Sequence, residues 1–249
     1  MVKSDKILVS KEFIHGDILQ KLSSIRNNID LIITDPPYNI GWNYSNKVND
    51  NKKDYHEWCL EWAEECFKVL NDKGIICIIN YPENNNILYT KLIKKGYHFI
   101  QQLIWNYPTN VGHAKTKYTR TYRTILVFCK SKCKDYEFNP IKQPYKNPND
   151  KRIKQRISEG HKGTNHYDVF NYNLCKNVSK DKKRNGINQL PRELVEMLIK
   201  TYSYPYFTVL DPFAGNMTVP DIAYEMCRDS IGIDINNYNE LEIGVITDD

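Results

Sequence analysis

Residues 29–42 read IDLIITDPPYNIGW, and the order of those side chains decides how the chain is built. Ile29 to Ile33 form a short apolar run of the kind that fills a buried strand. The run closes on Asp35, Pro36, Pro37 and Tyr38. A surface turn needs one proline and a glycine. Here an acid, two residues with fixed φ and no N–H, and an aromatic ring stand together at a strand end. A turn alone has no need for this order of four side chains.

VLDPFAGN, residues 209–216, has the same construction: an apolar strand closed by Asp211 and Pro212, with Phe213 behind them. In an open parallel sheet, ligands bind beyond the carboxyl ends of strands, near the point where strand order reverses. Two such ends can line one crevice although 175 residues lie between Asp35 and Asp211. Gly215 lets the backbone come close to a ligand. Asp234, in IGIDI, closes the next apolar run about 20 residues on, where an acid accepts hydrogen bonds from ribose hydroxyls. The chain lacks a full GxGxxG, a Walker loop and a nicotinamide fingerprint. A nucleoside ligand without phosphates, such as S-adenosylmethionine, fits these features.

Outward from the two strand ends, short apolar runs alternate with helical patterns, which predicts a mainly parallel sheet covered on both faces. EFIHGDILQKLSSI reads as strand, turn at Gly16-Asp17, and helix. YHEWCLEWAEECFKVL spaces Leu60, Ala63, Phe67 and Leu70 as a helix does and stops at Asn71 to Gly74. GIICIINYP, FIQQLIWNYP and RTILVFCK are further strands. QLPRELVEMLIKTY predicts a helix with Pro191 in its first turn. The closing helix carries Val219, Ile222, Ala223 and Met226 on one face.

The 249 residues and 41% hydrophobic content suffice for one large core, while mean hydropathy is −0.62. No apolar stretch is long enough for a membrane helix, and the N-terminus lacks the apolar centre of a signal peptide. Seven scattered cysteines read as free thiols of a reducing, cytoplasmic compartment. Cys129 and Cys133 have no partners at zinc-ligand spacing, so no metal is expected. Residues 135–187 carry 12 Lys and Arg against 6 Asp and Glu, a surplus of six, while the rest of the chain is at −1. Such a segment reads as a solvated insertion or as a polyanion-binding lobe.

The blocks and their order resemble the permuted, β-type DNA amino-methyltransferases, which methylate exocyclic nitrogens of adenine or cytosine. The likeness rests on Asp35-Pro36-Pro37-Tyr38 first, the basic 135–187 segment next, and Asp211-Pro212-Phe213-Ala214-Gly215 last. Gly16-Asp17, KVLNDKGIICII, IWNYPTNVG with TRTYRTILVFCK, and NQLPRELVEMLI support it. It implies a doubly wound, mainly parallel seven-stranded α/β sheet with circularly permuted motif order. It further implies a catalytic part over 1–134, a target-recognition insertion over 135–187 and a cofactor-binding part over 188–249. S-adenosylmethionine is the cofactor so implied, and double-stranded DNA the partner. A homodimer and a companion restriction endonuclease of a restriction-modification system are further partners the family suggests.

On this resemblance the reaction is methyl transfer to the N6 amine of a flipped-out adenine. Asp35 and the Pro36 carbonyl accept from the two N–H bonds of the amine, Pro37 stiffens the turn, and Tyr38 stacks on the base. Asp17, Asp211, Phe213, Gly215, Asp234, Asn188 and Gln189 form the cofactor-binding set. Asp17 is equally suited to cap the helix after it, and Asn188 and Gln189 to cap the Pro191 helix. Lys151, Arg152, Lys154, Arg156, Lys182, Lys183 and Arg184 are the candidates for DNA phosphates, or a solvated charged face. Trp42 and Tyr44 are loop aromatics or parts of the core.

Two departures stand out. Asn216-Met217 follows the glycine where the family commonly has a second small residue, and Met217 is expected to crowd the cofactor. Gly186-Ile187-Asn188-Gln189 stands where a His is usual. Asp rather than Ser at position 35 resembles the adenine-specific members; N4-cytosine is the alternative base and RNA the alternative polymer. Further readings are a non-catalytic DNA-binding partner that keeps the fold and, last, a small-molecule or protein-glutamine methyltransferase.

Overall fold

The computed structural model describes residues 9–25, 28–41, 50–108, 114–130, 135–175 and 189–236. Trp42, Tyr44, Lys182, Lys183, Arg184, Gly186, Ile187 and Asn188 lie outside the described residues. In chain order the elements are β1 (Lys11–His15), α1 (Ile18–Lys21), β2 (Ile29–Thr34), α2 (Tyr55–Val69), β3 (Leu70–Asn80) and α3 (Pro82–Lys94). Next come β4 (His98–Asn106), β5 (Tyr122–Cys129), β6 (Lys142–Gln143), α4 (Lys151–Ser158), β7 (Thr164–Asn165) and β8 (Val169–Asn171). The chain closes with α5 (Arg192–Tyr202), β9 (Thr208–Asp211), α6 (Thr218–Glu225) and β10 (Asp229–Asp234). None of the described helices is long and apolar enough to cross a membrane.

One sheet organises the chain, in the order β1-β10-β9-β2-β3-β5-β4-β8. Neighbours from β1 to β3 are parallel, β5 runs antiparallel between β3 and β4, and β8 lies parallel to β4. The seven expected strands are present, and an eighth is added at the edge. That strand, β8, comes from the 135–187 insertion: Phe170 is buried in the main core, and the Trp105 indole donates to the Tyr172 carbonyl at 2.7 Å. β6 and β7 form a separate two-stranded ribbon beside it in sequence.

Strand residues alternate between two buried faces, as a period of two requires. Leu31, Ile33, Cys77, Ile79 and Val127 pack with α5 and α6 on one side. Ile32, Ile76, Ile78, Leu126 and Phe128 pack with α2 and α3 on the other. Each buried Ile or Phe contributes about 1.5–3 kcal/mol, so this double coverage outweighs any single polar contact. On α2, Tyr55, Cys59, Trp62, Ala63, Cys66 and Phe67 make the buried stripe.

Helix α2 ends at Val69 and passes straight into β3. The expected stop at Asn71 to Gly74 is therefore a bulge within a strand. Ile29 pairs with Leu70 and Leu31 with Ile75, which forces the intervening residues out of register. Gly74 is required there: a Cβ would stand 2.6 Å from Leu70 Cγ and 3.0 Å from the Ile29 carbonyl. Pro191 also shifts by one position, sitting at the N-cap of α5 rather than in its first turn.

From β2 the chain winds toward β3, and from β9 it winds toward β10, so the strand order reverses between β9 and β2. Asp35 follows β2 and Asp211 ends β9, at the same edge of the sheet. Met217, at φ 58°, is 2% exposed. A Cβ on Gly232 of β10 would stand 2.4 Å from Met217 Sδ and 2.9 Å from Ala214 Cβ. The bulky residue thus fits because the facing strand carries a glycine. Gly232→Ala is expected to destabilise the fold by about 1–3 kcal/mol through overpacking. Adding Met217→Ser should recover part of that loss in a denaturant titration, the remainder lying with Ala214 Cβ; no recovery would mean that Met217 is not the obstacle.

Candidate active site

β2 delivers Asp35 to the sheet edge, and residues 37–40 are fixed by hydrogen bonds to their backbone. The Tyr55 hydroxyl donates to the Pro37 carbonyl at 2.6 Å, and Asn80 Nδ2 donates to that hydroxyl at 2.9 Å. Asn84 Nδ2 donates to the Tyr38 carbonyl at 3.0 Å. The Asp50 carboxylate accepts from the N–H groups of Asn39 (2.7 Å) and Ile40 (3.1 Å). Asn39, in the left-handed region at φ 60°, bonds through its amide to the backbone N–H and carbonyl of Lys52. Among the described residues no group donates to the Pro36 carbonyl. That acceptor is left available beside Asp35.

Asp35 is partly buried. Loss of water raises its carboxyl pKa above the usual carboxylate range, and the Arg123 guanidinium and the Tyr38 hydroxyl, which donates to Oδ1, pull it back. Arg123 is 5% exposed in a box of aromatic rings. Its guanidinium carbon lies 4.6 Å from the ring centre of Tyr38, 4.9 Å from Trp105, 5.6 Å from Tyr107 and 5.7 Å from Tyr81. Burial acts against the charge, but Tyr38, Asp35 and the other rings outweigh it, and the guanidinium stays protonated.

This arrangement differs from the expectation for Tyr38. The ring is buried, 4.9 Å from Tyr81 and capped by Arg123, with its hydroxyl on Asp35. It is not presented to the crevice as a stacking platform. A cation on its face and a carboxylate at its hydroxyl satisfy it inside.

The second half of the crevice is built at β9 and β10. Asp211 is 4% exposed and accepts from the Phe213 N–H at 3.0 Å. Burial pushes its carboxyl well above the ordinary range; the Phe213 N–H opposes this, and Asp35 and Asp234 add to it. Asp234 is engaged by the glycine turn itself: Oδ2 accepts from the Gly215 N–H at 2.9 Å, and Oδ1 from the Asn236 N–H at 2.8 Å. Asp17 caps α1, accepting from the Leu19 N–H at 2.9 Å, while the Gly16 N–H donates to the Asp234 carbonyl. Phe213 stands edge-on to Trp58 and Trp62, with ring centres 5.6 and 5.3 Å away. Gln189 is 8% exposed, just before α5. Among the described residues neither Asp211 nor Asp234 is in an ion pair. Mutually repelling carboxylates at an open strand edge suit a ligand that brings a positive charge. On α4, Lys151, Arg152, Lys154 and Arg156 are all exposed, and Asp150 caps the helix.

Arg123, Tyr81, Tyr55, Asn80, Asn84 and Asp50 are site residues that the sequence reading passed over. Two left a signal. Arg123 is a lone cation inside the apolar run YRTILVFC, where charge is rarely buried without a partner. Asn80-Tyr81-Pro82 closes β3 with a polar residue, a ring and a proline, much as the other strand ends close.

The family whose description is DNA methylase, with N6 and N4 members, matches residues 29–243. The chain is 31% identical over 236 residues to the DNA adenine methyltransferase YhdJ of Escherichia coli (strain K12), covering 92% of this chain and 79% of that protein. It is 34% identical over 217 residues to the Type II methyltransferase M.HpaI of Haemophilus parainfluenzae, covering 84% of this chain and 65% of that one. In fold it is similar to the M1.HpyAVI–SAM complex, with TM-score 0.66, 20% identity and 91% and 93% of the two chains covered. It is also similar to the PvuII DNA methyltransferase described as cytosine-N4-specific, with TM-score 0.69, 17% identity and 92% and 83% covered. The chain belongs to the N6/N4 DNA methylase family, with the α/β fold of these enzymes.

Two outcomes follow from the electrostatics. If ionised Asp35 is needed, activity falls on the acid side as its carboxyl takes up a proton. Arg123→Gln removes a group that holds that pKa down, so the acid limb of the kcat/KM profile should move to higher pH, with Arg123→Lys in between. A uniform loss at every pH would make Arg123 merely structural. For Asp211, a folded-state pKa above the unfolded one favours the fold below the unfolded value and costs stability as pH rises through the folded value. Asp211→Asn, which keeps an acceptor for Phe213, should raise Tm at pH 8 by about 2–4 °C, a gain that shrinks toward pH 4. An unchanged Tm at pH 8 would contradict this.

Proposed function

We propose that this DNA methyltransferase carries the methyl group of S-adenosylmethionine to the exocyclic N6 amine of an adenine turned out of double-stranded DNA. The observation that carries the reading is the acceptor pair at the end of β2. The Asp35 carboxylate and the unengaged Pro36 carbonyl are adjacent in the chain, while Pro37, Tyr38, Asn39 and Ile40 are tied to Tyr55, Asn84 and Asp50.

An exocyclic amine is a poor nucleophile because its lone pair is delocalised into the ring. Acceptors on both of its N–H bonds favour a pyramidal nitrogen with the lone pair aimed at carbon. Asp35 and Pro36 would supply them in a direction already fixed by the turn, so little reorganisation is left for the reaction. Asp35 also stabilises the positive charge that grows on nitrogen, and the product cation then loses a proton readily. Tyr38 would act through its hydroxyl on Asp35, and could stack on a base only after leaving Arg123.

When bound, the cofactor supplies an electrophilic methyl group on a sulfonium. Asp211, Asp234 and Gly215 at the strand ends, with Phe213 against the tryptophans, are the residues we assign to it, with Asp17 and Gln189 at the edges. Asp211 and Asp234 would meet its positive charges, and Asp234 keeps capacity for further donors. The burial of Met217 against Gly232 keeps its bulk within the fold, which weakens the reading as a binding protein that has lost catalysis.

Residues 1–134 and 188–249 form the catalytic unit in this reading, and 135–187 the recognition insertion, with the cations of α4 on DNA phosphates. The homodimer and the companion endonuclease belong to the same reading. The choice of adenine rests on Asp35 at the head of the block and on likeness to a relative named as an adenine methyltransferase. Cytosine N4 is the second reading, favoured by the shared fold with a protein described as cytosine-N4-specific. Incubation with S-adenosylmethionine and unmethylated bacterial DNA, followed by digestion and mass spectrometry, separates them. The expected product is N6-methyldeoxyadenosine; N4-methyldeoxycytidine would overturn the base, and no methylated nucleoside would overturn the activity.

A further inference from the structure

From Asn84 to Lys134 the chain has ten Lys and Arg residues and no Asp or Glu, a bias at least as strong as that of the 135–187 insertion. Part of it lies at the crevice. β4 ends at Asn106 and β5, antiparallel to it, begins at Tyr122, so the connection between them emerges at the edge where Asp35 and Asp211 stand. Its base is fixed. The Tyr107 N–H donates to the Thr121 carbonyl at 2.7 Å, and the Ala114 N–H to Thr119 Oγ1 at 3.0 Å. The Arg120 guanidinium lies 4.4 Å from the Tyr81 ring centre and bonds Glu83. Tyr81 in turn touches Tyr38, whose hydroxyl is on Asp35.

On this anchored loop Tyr118 is fully in solvent, at 102% of its reference exposure, and follows exposed Lys115 and Lys117 in the chain. Tyr167, at 63%, already carries the Lys146 ammonium 5.6 Å from its ring centre. A ring held out in water, with two exposed lysines just before it in the chain and a fixed base, suits a surface that is both stacked and negatively charged. Double-stranded DNA has both properties. Extruding a base breaks its pairing and stacking, and a ring entering from the groove restores part of what is lost.

We propose that the 114–121 loop is a second DNA-contacting element, separate from the recognition insertion. Tyr118 enters the duplex beside the target and fills the space left by the extruded base, while Lys115 and Lys117 hold the flanking phosphates. The inference rests on the proposed action on a flipped base. It divides the labour: the insertion finds the site, and this loop keeps it open.

The test uses the full chain and duplex oligonucleotides bearing the site first mapped on methylated bacterial DNA. A second duplex lacks the base opposite the target. Tyr118→Ala should lower kcat/KM on the intact duplex about 10- to 100-fold, the loss expected when a stacking ring is removed. Tyr118→Trp should stay within about threefold of wild type, since stacking tolerates any large ring. On the duplex with no opposing base, Tyr118→Ala should also recover to within about threefold, because extrusion there costs little. Equal activity of Tyr118→Ala and wild type on the intact duplex overturns the proposal, as does an equal loss on both duplexes. Wild type that methylates neither duplex sinks the reaction assigned above instead. The loop is then judged by binding: duplex affinity and its salt dependence unchanged by Lys115→Ala with Lys117→Ala would remove it as a contact.

Discussion

The hydrogen bond from the Tyr55 hydroxyl to the Pro37 carbonyl, continued to Asn80, is the constraint on which the site depends. It joins the first turn of α2 and the end of β3 to the turn after β2. Asn84 on α3 adds the Tyr38 carbonyl, and Asp50 adds two N–H groups. Polar backbone groups away from water must be paired, and here side chains do the pairing from three elements. The two prolines have no N–H to satisfy, so the turn presents acceptors and few donors. The Pro36 carbonyl beside Asp35 is the result. The stability of both sheet faces is thereby spent on fixing the direction of one carbonyl.

Charge is the second layer. Asp35, Asp211 and Asp234 stand at strand ends, where burial raises the carboxyls of the first two and, at Asp211, repulsion from the other two adds to it. One buried cation, Arg123, works against this at Asp35 only. The crevice is therefore uneven: an arginine-supported carboxylate at β2 and a carboxylate awaiting positive charge at β9. Such a division suits a base amine on one side and a cationic cofactor on the other.

The strand ends were legible because aspartate and proline closing an apolar run conflict with ordinary turn chemistry, and two of them in one parallel sheet must meet at its carboxyl edge. The order of the blocks then carried the sheet and its cover of helices. What could not be read depended on distant partners. NDKG between residues 71 and 74 has the composition of a turn, and becomes a bulge because Leu70 and Ile75 both pair with β2. Met217 was expected to crowd the cofactor, since nothing near it in sequence announces Gly232 across the sheet. Tyr38 was expected to face the base, because the guanidinium that covers it comes from β5, 85 positions further on. The insertion likewise read as a lobe of its own, although Phe170 is part of the main core.

The role of Asp35 is tested most directly by the single-turnover rate of methyl transfer by wild type and Asp35→Ala, with enzyme and cofactor in excess over DNA. Calorimetry run alongside confirms that both proteins bind cofactor. If Asp35 orients the amine and stabilises its developing charge, the rate should fall by about 10²- to 10³-fold with cofactor affinity little changed. A rate within about threefold of wild type would contradict the account, since so small a loss is far below what removing an oriented acceptor costs.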